Sequence, residues 1–194
     1  MLFSPPRTDR RPAGRAFTLV EVLVAVGLSG LVLAGVLTAG VQLTRSSVRI
    51  TRYAEMDTQV RRAFEQLSLD LKSASDLTWN GASDITVTIP LDAATTKQVT
   101  YAWSSTTQSF FRVPGVSSAT VSGRVQLITG IPALANGSPG LTFARQDQNG
   151  NTASTNNATK RIQVTLVVSR SAGGAVSASS CVTATFMLRN KPVS

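Results

Sequence analysis

The sequence has no histidine and a single cysteine in 194 residues. Without histidine, Ser-His-Asp and Cys-His catalysis, His-ligated zinc and the usual proton shuttle near neutral pH are excluded. Cys181 alone allows no disulfide within the chain, and as a small apolar group in the run CVTATFML it is expected in the core. Proline is missing between Pro12 and Pro90, so nothing interrupts a helix over that distance. Charge of either sign is missing for the 23 positions between Glu21 and Arg45, and a bilayer-spanning helix needs about 20. Aromatic residues are few, and Trp79, Tyr101, Trp103, Phe110 and Phe111 are expected in sheet core or helix packing rather than on a binding surface. No phosphate-binding glycine loop, metal-ligand cluster or catalytic carboxylate pair stands out. Neither a catalytic residue nor a cofactor or metal is therefore expected, and the chain does not read as an enzyme.

What is present divides into four zones. Residues 1–16 form a basic leader, with Arg7, Arg10, Arg11 and Arg15 against Asp9 alone. Residues 17–44 are apolar apart from Glu21, which is odd, because a carboxylate in hydrocarbon costs about 2.5–3.5 kcal/mol on insertion scales. The basic leader predicts a cytoplasmic N-terminus, although Arg45, Arg49 and Arg52 on the far side weaken the asymmetry. Across residues 45–77 apolar side chains recur at Ile50, Tyr53, Met56, Val60, Phe64, Leu67, Leu71, Ala74 and Leu77, one stripe of an amphipathic helix. Asp70 and Asp76 read as part of its solvated face. One continuous helix from about Thr18 to Ser75 is the simplest outcome, roughly 85 Å long at 1.5 Å per residue.

Residues 78–194 change to Thr, Ser, Val, Gly and Asn. Alternating runs predict strands at DITVTI, QVTYAW, QSFFRV, RVQLI, LTFAR, RIQVTLVVS and CVTATFML, separated by turn formers such as NGSPG and DQNGNTASTNN. Short joins favour an antiparallel sheet, so the expected fold class is α+β: a long N-terminal helix whose second half packs on a β-rich head. DQNGN reads as a turn at Asn149-Gly150 rather than a calcium loop, and Asn136 and Asn157, though in glycosylation sequons, read as turns. The net charge of +9 permits nucleic-acid binding, but beyond residue 16 no basic cluster with interleaved aromatics argues for it.

The stretch AFTLVEVLVA, Ala16 to Ala25, resembles the N-terminus of type IV prepilins and type II secretion pseudopilins. That family has a basic leader, a cleavage point, usually Phe as the first mature residue and Glu as the fifth. Phe17 and Glu21 stand at that spacing. Ala16 departs from the family, which usually has Gly before the cut. The resemblance implies cleavage between Ala16 and Phe17 by a prepilin peptidase, N-methylation of Phe17, and assembly of residues 17 to about 45 into a helical bundle in which Glu21 pairs with the terminal amine of a neighbouring subunit. Pairing removes the cost of an isolated buried acid, so the charge favours the assembled state.

The segment VRRAFEQLSLDLKSASDLTW is similar to minor pilins and J-type minor pseudopilins. The resemblance implies a minor subunit of a type IV pilus or a type II secretion pseudopilus. Its partners would be other pilin or pseudopilin subunits, an inner-membrane assembly platform and a cytoplasmic ATPase. It also implies a single pass through the bacterial inner membrane, with the head periplasmic before it enters the filament. A different class stays open: a single-span membrane-anchored binding protein that never polymerises, in which Glu21 merely reaches the interface. A DNA-uptake pilin is permitted by charge, and a membrane-tethered enzyme is disfavoured by the missing histidine.

Overall fold

A computed structural model describes residues 17–172 and 176–192. One helix, α1 (Leu19–Ser73), is followed by eight strands. These are β1 (Asp76–Gly81), β2 (Asp84–Pro90), β3 (Thr96–Ser104), β4 (Ser109–Pro114), β5 (Val125–Thr129), β6 (Leu141–Gln146), β7 (Arg161–Ala172) and β8 (Val176–Met187). The chain divides into two compact units, Met1–Ser46 and Ser47–Ser194.

In the first unit the described residues are almost entirely α1. This part of the helix, from Leu19 onward, runs without a break through Gly35 and Gly40. Thr38 and Thr44 return their hydroxyls to the carbonyls of Ala34 and Gly40, so these polar groups are satisfied inside the helix. The apolar side chains of this stretch lie exposed, among them Leu23, Leu31, Val32 and Leu37. By length and composition it can cross a membrane.

The second unit is α+β, as expected, but it has two antiparallel sheets where one was anticipated: β1-β2-β3-β4-β5 and β6-β7-β8. The reason lies in residues 130–140. Instead of a hairpin, Gly130 and Ile131 bridge the sheets: the Ser169 amide donates to the Gly130 carbonyl, and the Ile131 amide donates to the Gln108 carbonyl. Gly140 comes so close to this strap that a Cβ there would lie 2.1 Å from the Pro132 carbonyl oxygen. A second join is the Phe143 amide, which donates to the Ala82 carbonyl.

The C-terminal half of α1 buries Met56, Val60, Ala63, Leu67 and Leu71 against both sheets. They meet Ile85, Val87, Val99 and Tyr101 from the first sheet and Ile162, Val164 and Leu166 from the second. Full burial of each large apolar side chain contributes about 1.5–3 kcal/mol. Phe110 stands between Tyr101 and Phe143, with ring centroids 5.8 Å and 6.2 Å away, and so links β3, β4 and β6.

Several expectations need correction. The apolar stripe is buried only from Met56 onward, for Ile50 and Tyr53 are exposed. The helix stops at Ser73, because the Ser75 amide donates to the Thr88 carbonyl and draws the chain into the sheet. Leu77, expected on the helix, is buried in β1 opposite Val87. Cys181 is exposed, not core. It shares a face of β8 with Thr183 and Thr185, whereas Val182, Ala184 and Phe186 point inward. Asp70 is buried, not solvated.

The expected core roles of Tyr101, Phe110 and Phe111 hold, and Trp79 and Trp103 pack half-buried on the core. DQNGN is a turn: Asp147 accepts the amides of Asn149 and Asn151 at 2.8 and 2.9 Å. Gly150 takes the left-handed conformation there at φ 92°. Asn136 and Asn157 also lie in turns.

Candidate functional site

The helix start is organised by two residues. Thr18 precedes the first helical residue, and its hydroxyl accepts the Glu21 amide at 3.2 Å. Glu21 Oε2 accepts in return from the Thr18 amide at 2.9 Å and the Thr18 hydroxyl at 3.0 Å. This is a reciprocal capping box, which satisfies amide donors that the first turn leaves free. The carboxylate also lies at the positive end of the helix dipole. Its signature, T-x-x-E before an apolar run, is legible in TLVE, yet reading Glu21 through the family resemblance alone passes over Thr18. Phe17 is 83% exposed and precedes the cap. Ala16 and the leader 1–16 lie outside the described residues.

The structure thus places Phe17 and Glu21 together at one helix end and gives the carboxylate a partner within its own chain. Beyond Glu21 the span carries no further charge up to Arg45. Its mainly apolar surface can meet lipid tails or other apolar helices.

A second polar constellation lies where α1 meets the first sheet. Asp70 Oδ2 accepts from the Tyr101 hydroxyl at 2.6 Å and from Arg112 Nε at 2.9 Å. Gln66 Nε2 donates to Asp70 Oδ1 at 3.3 Å. Burial pushes the Tyr101 hydroxyl well above its ordinary pKa, and the neighbouring Asp70 adds to the rise. Burial opposes the Arg112 cation, but Asp70 outweighs it and holds the guanidinium above its usual value. A tyrosine locked in its neutral form beside a paired carboxylate is a clamp between helix and sheet.

The segment that follows β8 is held without a disulfide. Lys191 is 4% exposed. Its ammonium donates to the Asn156 carbonyl at 2.8 Å and lies 3.4 Å from Asp76. Lys160 donates to the Lys191 carbonyl. Among the described residues, no three acidic or cysteine side chains gather as a metal ion requires. An open groove of about 640 Å³ runs between α1 and β8, lined by Val60, Phe64, Leu69, Val182 and Phe186, with Asp57, Arg61, Glu65 and Lys72 on its rim.

Residues 11–37 match the model of the prokaryotic N-terminal methylation motif. The matched stretch contains Ala16, Phe17, Thr18 and Glu21 and ends within the apolar half of α1. No curated protein matches the chain. The motif supports a pilin-type precursor of the kind processed by a prepilin peptidase, and together with the apolar helix it fits a membrane-anchored pilin. It points to a structural subunit rather than an enzyme.

Proposed function

We propose that the chain is a minor structural subunit of a type IV pilus or a type II secretion pseudopilus. In this reading a prepilin peptidase cuts after Ala16 and the new amine of Phe17 is methylated. Residues 17–44 first anchor the protein in the bacterial inner membrane, N-terminus inward and head periplasmic. They then join the helical core of a filament beside other pilin-type subunits, drawn in by an inner-membrane platform. The observation that carries this is the methylation-motif match over residues 11–37, with Phe17 and Glu21 at the family's spacing. The stretch of α1 without charge from Val22 to Thr44 supports it, since a helix satisfies its own backbone groups and leaves mainly apolar side chains to face its neighbours in a bundle.

Glu21 is the assembly residue in this reading. In a neighbour's presence it exchanges its local bond with Thr18 for an ion pair with the Phe17 amine of the adjacent subunit. The capping box favours a second reading to the same extent that it satisfies Glu21 alone: a single-span anchored binding protein that does not polymerise. The deciding experiment is the intact mass of the protein from native membranes. A chain beginning at Phe17 with one added methyl group is expected. A chain that retains Met1 to Ala16 would overturn the proposal and leave the anchored protein as the better reading.

A further inference from the structure

β8 is an edge strand with unusual composition. Its twelve residues, Val176–Met187, contain no charge and no proline. Those are the features by which exposed edges normally avoid pairing with another chain. In its sheet it pairs with β7, and among the described residues no backbone hydrogen bond reaches it from the outer side.

The alternation can be assigned. The Leu188 amide donates to the Lys160 carbonyl at 2.9 Å. The pairs Phe186↔Ile162 and Ala184↔Val164 continue that register. Even-numbered residues therefore bond to β7, while the amides and carbonyls of Ser179, Cys181, Thr183, Thr185 and Met187 point outward. Directly beside them lies the groove of about 640 Å³ under the overhanging helix, with Leu69 64% exposed on its wall. Val182 and Phe186 point into it and are only half covered.

We propose that β8 accepts an added strand. An extended segment of a different chain pairs with the outward groups from Ser179 to Met187 and sets apolar side chains, at every second position, into the groove beneath α1. An extended backbone is the chemistry that satisfies a row of free amides and carbonyls. Apolar side chains are what a groove walled by Phe64, Leu69, Val182 and Phe186 accepts.

A second copy does not fit, a step that rests on the membrane-anchored reading above. Met56 and Val60 lie beside Ser180 and Val182, and Phe64 meets Phe186 edge-on at 5.8 Å, so β8 runs in the same direction as this part of α1. Antiparallel self-pairing would put the points where the two chains enter their heads at opposite ends of the paired sheets, whereas in the anchored reading both chains come from one membrane. Parallel self-pairing turns the partner over and would place its Thr183 and Thr185 in the apolar groove.

The test is amide hydrogen exchange over residues 179–187, measured on the full chain in native membranes and again after purification in mild detergent. Exchange slowed about tenfold or more in membranes relative to the purified chain is expected. Two variants should abolish that protection while leaving the melting temperature of the purified chain unchanged. Thr185→Pro removes an outward amide that bonds to nothing within the sheet, and Leu69→Asp puts a charge on the groove wall. Thr185→Ala should retain the protection.

Equal exchange in both preparations, or protection that survives both variants, would overturn the proposal. So would protection in the purified chain accompanied by a Cys181–Cys181 disulfide between copies, which would identify the occupant as a second copy. Intact mass on the same samples separates the two readings. A chain mature at Phe17 with unprotected β8 refutes strand addition alone, and an uncut chain with protected β8 refutes only the processing.

Discussion

Replacement of Asp70 by alanine should be among the most damaging changes to the head. The carboxylate receives two strong hydrogen bonds, from Arg112 Nε at 2.9 Å and Tyr101 at 2.6 Å. Bonds to a charged group contribute about 1.5–3 kcal/mol each. The Asp70 and Arg112 side chains are 11% and 18% exposed, so water only partly replaces a lost partner. Tyr101 keeps a long contact of 3.5 Å to the Gln66 carbonyl, which softens its loss. The expected destabilisation is about 3 kcal/mol, the low end for breaking a buried pair. For a chain of this size that lowers the melting temperature by about 6–12 °C.

The assay is thermal unfolding of the full chain in detergent, followed by near-UV circular dichroism of the aromatic core. Asp70→Asn, which keeps the shape and loses the charge, should cost about half as much. Asp70→Leu combined with Arg112→Met and Tyr101→Phe should recover most of the loss, because the two buried donors go with the carboxylate and only the half-buried Gln66 amide, within reach of water, loses its bond. An Asp70→Ala chain that melts within about 1 °C of the parent would refute the clamp.

Three other outcomes are expected. Tyr101 has its pKa raised by burial and by Asp70, so its contribution is complete below the unfolded value of about 10 and is lost as pH rises above it; unfolding scans across pH 8–11 should show a steeper alkaline loss in the parent than in Tyr101→Phe. Gly140→Ala forces a Cβ against the Pro132 carbonyl oxygen and should cost about 1–3 kcal/mol in a urea titration, as overpacking does. At the helix start, Glu21→Gln can keep the capping bond to Thr18 but removes the charge, while Thr18→Ala does the reverse; if Glu21 acts by its charge, filament incorporation scored by shearing and immunoblotting fails in the first and persists in the second.

Much of this architecture is legible in local pattern. The absence of proline from Pro12 to Pro90 and the run without charge up to Arg45 fix one long helix with a membrane-compatible half. Period-two alternation locates seven of the strands to within a few residues. The helix start is equally local, for Phe17, Thr18 and Glu21 lie within five positions, and both the spacing of the methylation motif and the capping box are readable there. For Asp70 and Cys181 periodicity outweighs residue type. Asp70 falls between Leu67, Leu71 and Ala74 on the helix face that is buried. Cys181 alternates with Val182 and therefore belongs with Thr183 on the open face of β8.

What the sequence determined by itself is set by forces acting between near neighbours: helix continuity, the cap at Thr18, the apolar span and the strand alternation. Only the tertiary structure decided the rest. It chose a partner for Asp70 at Tyr101 and Arg112, thirty-one and forty-two positions away. It split the strands into two sheets joined through residues 130–140. It also left the outer side of β8 open beside a groove. Such pairings depend on which segments meet after the chain turns back, and that is settled by the summed packing of the core rather than by any residue's own preference.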